Sequence, residues 1–114
     1  MRFKRSQRVQ ELLLEEISRL IQKGLKDPRV GFITITAVQL TDNLKNAKVF
    51  ISAMGDKEKA ADAVKGLRSA QGYIRRELGR NLYLRYIPEL DFRVDELNEK
   101  AERIDRLLNE MHFE

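Results

Sequence analysis

The chain has 114 residues, a formal net charge of +4, one histidine and no cysteine. This length predicts a single domain spanning residues 1–114, and the lack of cysteine excludes disulfides, thiolate metal ligands and thiol nucleophiles. No apolar run is long enough to span a membrane, which favours a cytoplasmic protein, and the histidine, His112, lies too near the C-terminus to suggest a catalytic site.

A first helix is predicted from about residue 4 to residue 23, because apolar residues from Val9 to Ile21 recur at helical spacing. Gly24 and the following Asp27-Pro28-Arg29 predict its end. Four basic residues stand at its start: Arg2, Lys4, Arg5 and Arg8. They are either part of a surface that binds a polyanion or ordinary solubilising charge, and the sequence leaves both open.

A β-hairpin is predicted next. Ile33 and Ile35 alternate with threonines, and the apolar phase then slips, which indicates either a bulge near Ala37 or partial cover of both faces. Turn residues occupy 41–45, and the second strand places Ala47, Val49, Ile51 and Ala53 inward. Phe50 faces outward, where it either packs against the first helix or a loop or stacks on a base.

Two helices joined by a kink follow the hairpin. Asp56 is the expected N-cap of the first, and Tyr73, Ile74 and Leu78 continue the apolar spacing after a break at Ala70-Gln71-Gly72. The break is too short for a loop, and its glycine costs about 1 kcal/mol against alanine inside a helix. We therefore predict a kink rather than a loop, with Gly79 ending the second helix.

The remaining sequence predicts one strand and one helix. Leu90, Phe92 and Val94 alternate after Pro88, and residues from about 96 to 111 form an amphipathic helix with a mostly acidic outer face. The order predicts an α+β fold in which a three-stranded sheet carries helices on one face. The apolar positions of the last helix are Ala101, Ile104, Leu107, Leu108 and Met111.

The segment around the kink carries the strongest functional signal. Residues 65–87 are basic, residues 88–114 are acidic, and Glu77 is the one carboxylate of the basic stretch. A small-residue kink lets a phosphate approach the backbone, and arginine supplies a planar fork suited to phosphate oxygens. The alternative is a solvated basic helix face. Tyr83 and Tyr86 either stack on bases or pack at the rim of the core. The candidate RNA-binding residues are Arg2, Lys4, Arg5, Arg8, Arg68, Ala70, Gln71, Gly72, Arg75, Arg76, Arg80 and Arg85.

The predicted element order is that of a type II KH domain, whose two central helices are joined by a Gly-x-x-Gly loop that clamps single-stranded nucleic acid. No such loop occurs here, and Ala70-x-Gly72 stands at its position. Further motifs occur along the chain: Arg8-Val9, Asp27-Pro28-Arg29, residues 47–51, residues 74–79, Leu82-x-Leu84-Arg85, residues 88–95 and Arg103-Ile104-x-x-Leu107-Leu108. In these motifs the chain resembles the bacterial ribosome-binding factor A family. The family's disordered C-terminal extension has no counterpart after Glu114.

This resemblance implies a monomeric, non-enzymatic assembly factor that binds the free 30S subunit or precursor 16S rRNA. It further implies a role in late maturation including 5′-end processing, a link to cold shock, and release with the help of an assembly GTPase. Neither a cofactor nor a metal is implied, and neither Asp27 nor Asp95 has the neighbours that a catalytic site needs. The alternative is a protein-interaction module on the same scaffold that acts through the acidic C-terminal helix.

Overall fold

The computed structural model describes residues 2–25, 30, 33–53, 57–97, 104, 107 and 108, with side chains from residue 5 onward. Within these residues the elements run in the order α1 (Arg2–Gln22), β1 (Ile33–Leu40), β2 (Asn46–Ala53), α2 (Lys57–Ser69), α3 (Gln71–Asn81) and β3 (Glu89–Val94). The predicted order of helix, hairpin, two helices and strand is confirmed. None of the described helices is both long and apolar enough to cross a membrane.

The three strands form a mixed sheet in the order β1-β2-β3. β1 and β2 pair antiparallel across the turn at 41–45, and α2 and α3 cross over so that β3 pairs parallel to β2. α1 packs on β1, while α2 packs on β2 and β3. The fold is therefore an α+β, type II KH-like domain in which a kink replaces the Gly-x-x-Gly loop.

The predicted bulge lies in β1, where the register shifts between Ile35 and Ala37. Thr36 is the inserted residue, so Ile35 before the bulge and Val38 after it are both buried towards the helices. The Thr36 hydroxyl donates to an Asp95 carboxylate oxygen (2.6 Å), which ties β1 to the end of β3 on the opposite face. The bulge thus explains the slip in apolar phase.

The core lies between this sheet and the helices. α1, both central helices and all three strands contribute side chains, as the apolar spacing of each element predicts. The largest fully buried side chains are Phe92, Leu13, Ile17, Ile51, Leu67, Ile74, Leu78, Val49 and Pro88. α1 ends as predicted, because Gly24 adopts a positive φ of 94° and its N–H donates to the Ile21 carbonyl (3.0 Å).

The prediction that Gly79 ends the second helix is wrong. α3 continues to Asn81, where the Leu82 N–H still donates to the Leu78 carbonyl (2.9 Å) while Leu82 itself is extended. Gly79 instead marks a contact, since a Cβ built there would lie 3.6 Å from Ile87 Cγ1. The segment after α3 therefore folds back along the helix.

The predicted helix over 96–111 falls mostly outside the described residues, as do Asp56, Ala101 and Met111. Glu96 and Leu97 are helical, and so are the isolated described positions 104, 107 and 108. Their apolar side chains are exposed: Leu97, Ile104, Leu107 and Leu108.

Candidate nucleic-acid interface

The kink is a bend within a continuous hydrogen-bond ladder. Ala70 leaves helical geometry with φ −89° and ψ 2°, yet its N–H donates to Gly66 (3.0 Å) and its carbonyl accepts from Ile74 (2.9 Å). Gly72 is exposed, and a Cβ built on it would have no heavy atom within 4 Å. The fold itself therefore does not require glycine at 72, and the backbone there is open to an approaching ligand.

Three polar side chains attach the kinked helices to β3. Arg68 Nη2 donates to the Phe92 carbonyl (3.3 Å), and the Gln71 side-chain oxygen accepts from the Leu90 N–H (3.1 Å). Arg68, Gln71 and Arg75 are all predicted RNA-binding residues, and the structure gives each of them a bond to backbone.

Arg75 makes the most extensive of these attachments. Its Nε donates to the Pro88 carbonyl (3.0 Å), its Nη2 donates to the Ile87 carbonyl (2.9 Å), and its Nη1 lies 3.5 Å from Glu89. A guanidinium that donates to two adjacent carbonyls holds the chain between α3 and β3 in place. The guanidinium of Arg75 is therefore already hydrogen-bonded within the protein.

A second set of side chains faces solvent. Tyr73, Arg76 and Arg80 are spaced three and four residues apart, so they share one outer face of α3, and all three are exposed. Arg80 is 72% exposed and lies 3.6 Å from Glu77, a pair that solvent screens strongly. Tyr73 was expected with the apolar residues Ile74 and Leu78, and that placement is wrong because its spacing to the arginines, three and seven residues, puts it on the outer face.

The segment from 82 to 88 extends the exposed surface. Leu82, Leu84 and Ile87 pack against the core, whereas Tyr83, Arg85 and Tyr86 are exposed. Packing in the core is therefore wrong for both tyrosines, and packing at its rim is also wrong for the fully exposed Tyr83, while Tyr86 is 63% exposed. The sequence carried a signal for this, namely the alternation of apolar and polar positions from 82 to 85.

The basic residues of α1 lie at the same end of the sheet as the kink. The Leu40 N–H donates to the Gln10 side-chain oxygen (3.0 Å), which fixes α1 beside the last residue of β1. Arg8 and Arg5 precede Gln10 by two and five residues, so both lie within about 8 Å of it along the helix axis. Arg5 and Arg8 are exposed there, and the side chains of Arg2 and Lys4 lie outside the described residues.

This end of the sheet also holds the start of β3, because Glu89 pairs with Asn46 beside the hairpin turn. α1 packs on β1 and the kinked helices are attached to β3, so the two basic clusters lie on elements at the two edges of a three-stranded sheet, whose outer strands are about 10 Å apart.

A polar contact joins α1 to the C-terminal end of α3. Arg19 donates to the Glu16 carboxylate, and Asn81 Nδ2 donates to the same group (2.8 Å). The hydrogen bond from Arg19 lowers the pKa of Glu16 below its ordinary value against the opposing effect of burial, with Asn81 adding to the lowering. The same hydrogen bond raises the pKa of Arg19. The charge of Arg19 is thus balanced by a hydrogen-bonded carboxylate, whereas the exposed Arg76 of α3 forms no ion pair within the described residues.

Other polar candidates have local roles or carry no site. Among the residues that the structure describes, no cluster of three or more His, Cys, Asp or Glu residues could hold a metal ion. Asp95 accepts from Thr36, and Asp27 lies outside the described residues. Phe50 is half-buried on the sheet face opposite α1, so packing against the first helix is wrong.

The sequence matches a family model described as Ribosome-binding factor A over residues 5–108. A Ribosome-binding factor A from Geobacter sulfurreducens is 47% identical over 112 residues, covering 98% of this chain and 95% of that protein. The crystal structure of ribosome-binding factor A from Thermus thermophilus is similar with a TM-score of 0.70 and 26% identity, over 78% of this chain and 93% of that chain. A homology model of the Thermus thermophilus factor, fitted into a cryo-EM map of a 30S complex, has a TM-score of 0.61 and 27% identity, over 74% and 88% of the two chains.

Proposed function

The chain belongs to the ribosome-binding factor A family, and we propose that it binds the small (30S) ribosomal subunit or its precursor 16S rRNA. One observation carries this proposal: Arg76, Arg80 and Arg85 are exposed, and the Gly72 backbone is open at the place where a KH domain clamps nucleic acid. The family match and the likeness to a factor fitted into a 30S complex support it.

The contacts divide into direct and positioning residues. We assign phosphate contacts to Arg76, Arg80 and Arg85 on the kink side and to the basic cluster at the start of α1, with Ala70 and Gly72 allowing close approach. Arg68, Gln71 and Arg75 hold α2 and α3 against β3, so they set the angle of this surface. The basic residues of the α1 cluster are Arg2, Lys4, Arg5 and Arg8.

The finer biology is part of the same proposal. A monomer of residues 1–114 acts in the cytoplasm as a single ribosome-binding domain, without a catalytic step or cofactor. It assists late 16S rRNA maturation, including 5′-end processing, supports growth in the cold, and leaves the subunit with the help of an assembly GTPase. If both basic clusters together neutralise about six phosphates, affinity falls about a thousand-fold between 50 and 200 mM salt.

Gradient sedimentation of a tagged chain in cell extract tests the proposal. The tagged protein is expected with free small subunits and absent from large subunits and whole ribosomes. The variant Arg76→Glu/Arg80→Glu is expected at the top of the gradient, and Lys57→Glu/Lys59→Glu, which reverses two exposed charges at the far end of α2, is the matched control. Association that survives the arginine changes at physiological salt contradicts the assigned surface, and no ribosomal association at all contradicts the proposal.

The protein-interaction alternative is supported by a different observation. Leu97, Ile104, Leu107 and Leu108 expose apolar side chains in the acidic C-terminal segment, and exposed apolar groups favour contact with another protein. The variant Leu107→Glu/Leu108→Glu separates the two functions. Loss of subunit association in this variant, with normal association in the arginine variant, favours the alternative.

A further inference from the structure

All three tyrosines of the chain are exposed. Tyr73 is 48% exposed, Tyr86 is 63% exposed, and Tyr83 is fully exposed. Burying an aromatic side chain is among the larger stabilising contributions open to a small domain. Here the rings lie mostly outside the core, and their aromatic faces are therefore available to a ligand.

The backbone that carries Tyr83 and Tyr86 is anchored. Leu82, Leu84 and Ile87 pack against the core on the opposite side of the segment, and Ile87 lies against Gly79 of α3. Arg75 further binds the carbonyls of Ile87 and Pro88. The rings therefore project from a fixed segment, and less conformational entropy is lost when a ligand binds them than when it binds a free loop.

The charges around the rings match RNA rather than a protein surface. Arg85 lies between Tyr83 and Tyr86, and residues 82–88 contain no carboxylate. Arg76 and Arg80 share the outer face of α3 with Tyr73. Aromatic faces next to guanidinium groups are the combination that binds single-stranded nucleic acid, since the rings stack on bases while the cations neutralise phosphates.

We infer that the exposed rings of Tyr83 and Tyr86 stack on unpaired bases of the bound RNA, so that this surface recognises single-stranded rather than duplex RNA. This inference rests on the proposed function. Phosphate contacts are common to both RNA forms, whereas only an unpaired base offers its face to a tyrosine ring. Each stacked base contributes about 5- to 150-fold in affinity.

The test uses the full chain with two probes, a 12-nucleotide oligouridylate and a blunt RNA duplex of equal phosphate number. The variant Tyr83→Leu/Tyr86→Leu keeps apolar bulk and removes the aromatic faces, and Tyr83→Phe/Tyr86→Phe keeps the aromatic faces. We expect the leucine variant to bind oligouridylate about 10- to 100-fold more weakly, with the slope of log K against log salt unchanged. The phenylalanine variant should bind within about twofold of wild type, and duplex affinity should be unchanged in both.

Tyrosine fluorescence gives a second readout, because the chain has no tryptophan. In a Tyr73→Phe variant the emission comes from Tyr83 and Tyr86 alone. Oligouridylate should quench this emission, and the duplex should not. Equal quenching by both probes, or an unchanged oligouridylate affinity in the leucine variant, overturns the inference.

Small-subunit association of the same variants separates this inference from the proposed function. If Arg76→Gln/Arg80→Gln loses association while the leucine variant keeps both association and RNA affinity, stacking is overturned and the proposed function stands. If the leucine variant loses association but binds oligouridylate normally, the tyrosines contact a ribosomal protein and the inference is overturned. If neither set of changes affects association, both the stacking inference and the surface assigned to phosphate contacts are overturned.

Discussion

Arg75 and Arg76 are adjacent in sequence, and the structure gives them opposite roles. Arg75 points towards the chain that leads into β3 and donates to two of its carbonyls, while Arg76 faces solvent beside Tyr73 and Arg80. A helix turns 100° per residue, so a single step along α3 moves a side chain from the sheet side to the open side. The basic stretch therefore has two surfaces. One stabilises the fold, and the other is exposed to solvent and available to a ligand.

The same division covers the rest of the kink. Arg68 and Gln71 bond to backbone of β3, whereas Gly72 opens to solvent. The residues that bond to backbone fix the angle between α2 and α3. That angle sets the direction in which the exposed charged residues face. Substitutions of the residues that bond to backbone should change stability, and substitutions of the exposed residues should change affinity.

Charge reversal at Arg75 should give the largest effect. Arg75→Glu removes the donors for the Ile87 and Pro88 carbonyls and places a carboxylate beside Glu89. We expect the free energy of unfolding to fall by about 2–3 kcal/mol, measured by urea denaturation. Arg75→Lys should recover part of the loss, because an ammonium group replaces one of the two bonds. A variant as stable as wild type would remove the distinction between the two arginines.

The same reversal one residue later should affect affinity instead. Arg76→Glu lies on the exposed face, so its unfolding free energy should stay within about 0.5 kcal/mol of wild type. RNA affinity should fall about tenfold, and the slope of log K against log salt should decrease by about 1, as expected for one lost phosphate contact. An equal loss of affinity in stability-matched Arg75→Glu protein would show that both side chains contact RNA.

Apolar spacing was enough to predict the fold, because each element buries one face. Even the phase slip in β1 pointed to the bulge that the structure places between Ile35 and Ala37. The division of the arginines was not predictable in the same way. It depends on the segment after α3 folding back at Gly79, and on carbonyls of that segment accepting from Arg75. Such contacts between a side chain and distant backbone leave no periodic pattern in sequence.

Gly72→Ala should increase stability and decrease RNA affinity. The built Cβ meets nothing within 4 Å and α3 includes this residue, so alanine should raise the free energy of unfolding by about 1 kcal/mol. RNA affinity should fall, by about two- to fivefold, if a phosphate approaches the backbone at this point. Gly79→Ala, on the side facing Ile87, is the control that should leave RNA affinity unchanged. Increased stability with undiminished affinity would argue against close approach at the kink.

The smallest effects are expected at two carboxylates, Glu16 of α1 and Glu77 of α3. Glu16 accepts from Arg19 and Asn81, and the hydrogen bond from Arg19 is the main reason that its pKa is lowered. A lowered pKa in the folded state stabilises the protein above the unfolded pKa of about 4.3, and this contribution is lost as pH falls through the folded pKa. Glu16→Gln should therefore reduce the unfolding free energy by about 0.5–1 kcal/mol at neutral pH, with the difference from wild type closing in acid.

Glu77→Gln provides a second carboxylate change: Glu77 is 21% exposed, its charge adds to the Glu16 hydrogen bond in raising the pKa of Arg19 on α1, and it pairs with Arg80 at 3.6 Å. This pair is screened by solvent, so stability should change by less than about 0.3 kcal/mol, while the freed Arg80 should strengthen RNA binding slightly. Urea denaturation between pH 3 and pH 7 and RNA titration at fixed salt measure both variants. If the Glu16 variant weakens RNA binding at full stability, or the Glu77 variant weakens the fold, then stability and RNA affinity do not depend on separate sets of residues around α3. Because both changes replace a carboxylate by an amide of the same size, any difference between them reflects the surroundings of the carboxylate rather than the chemistry of the substitution.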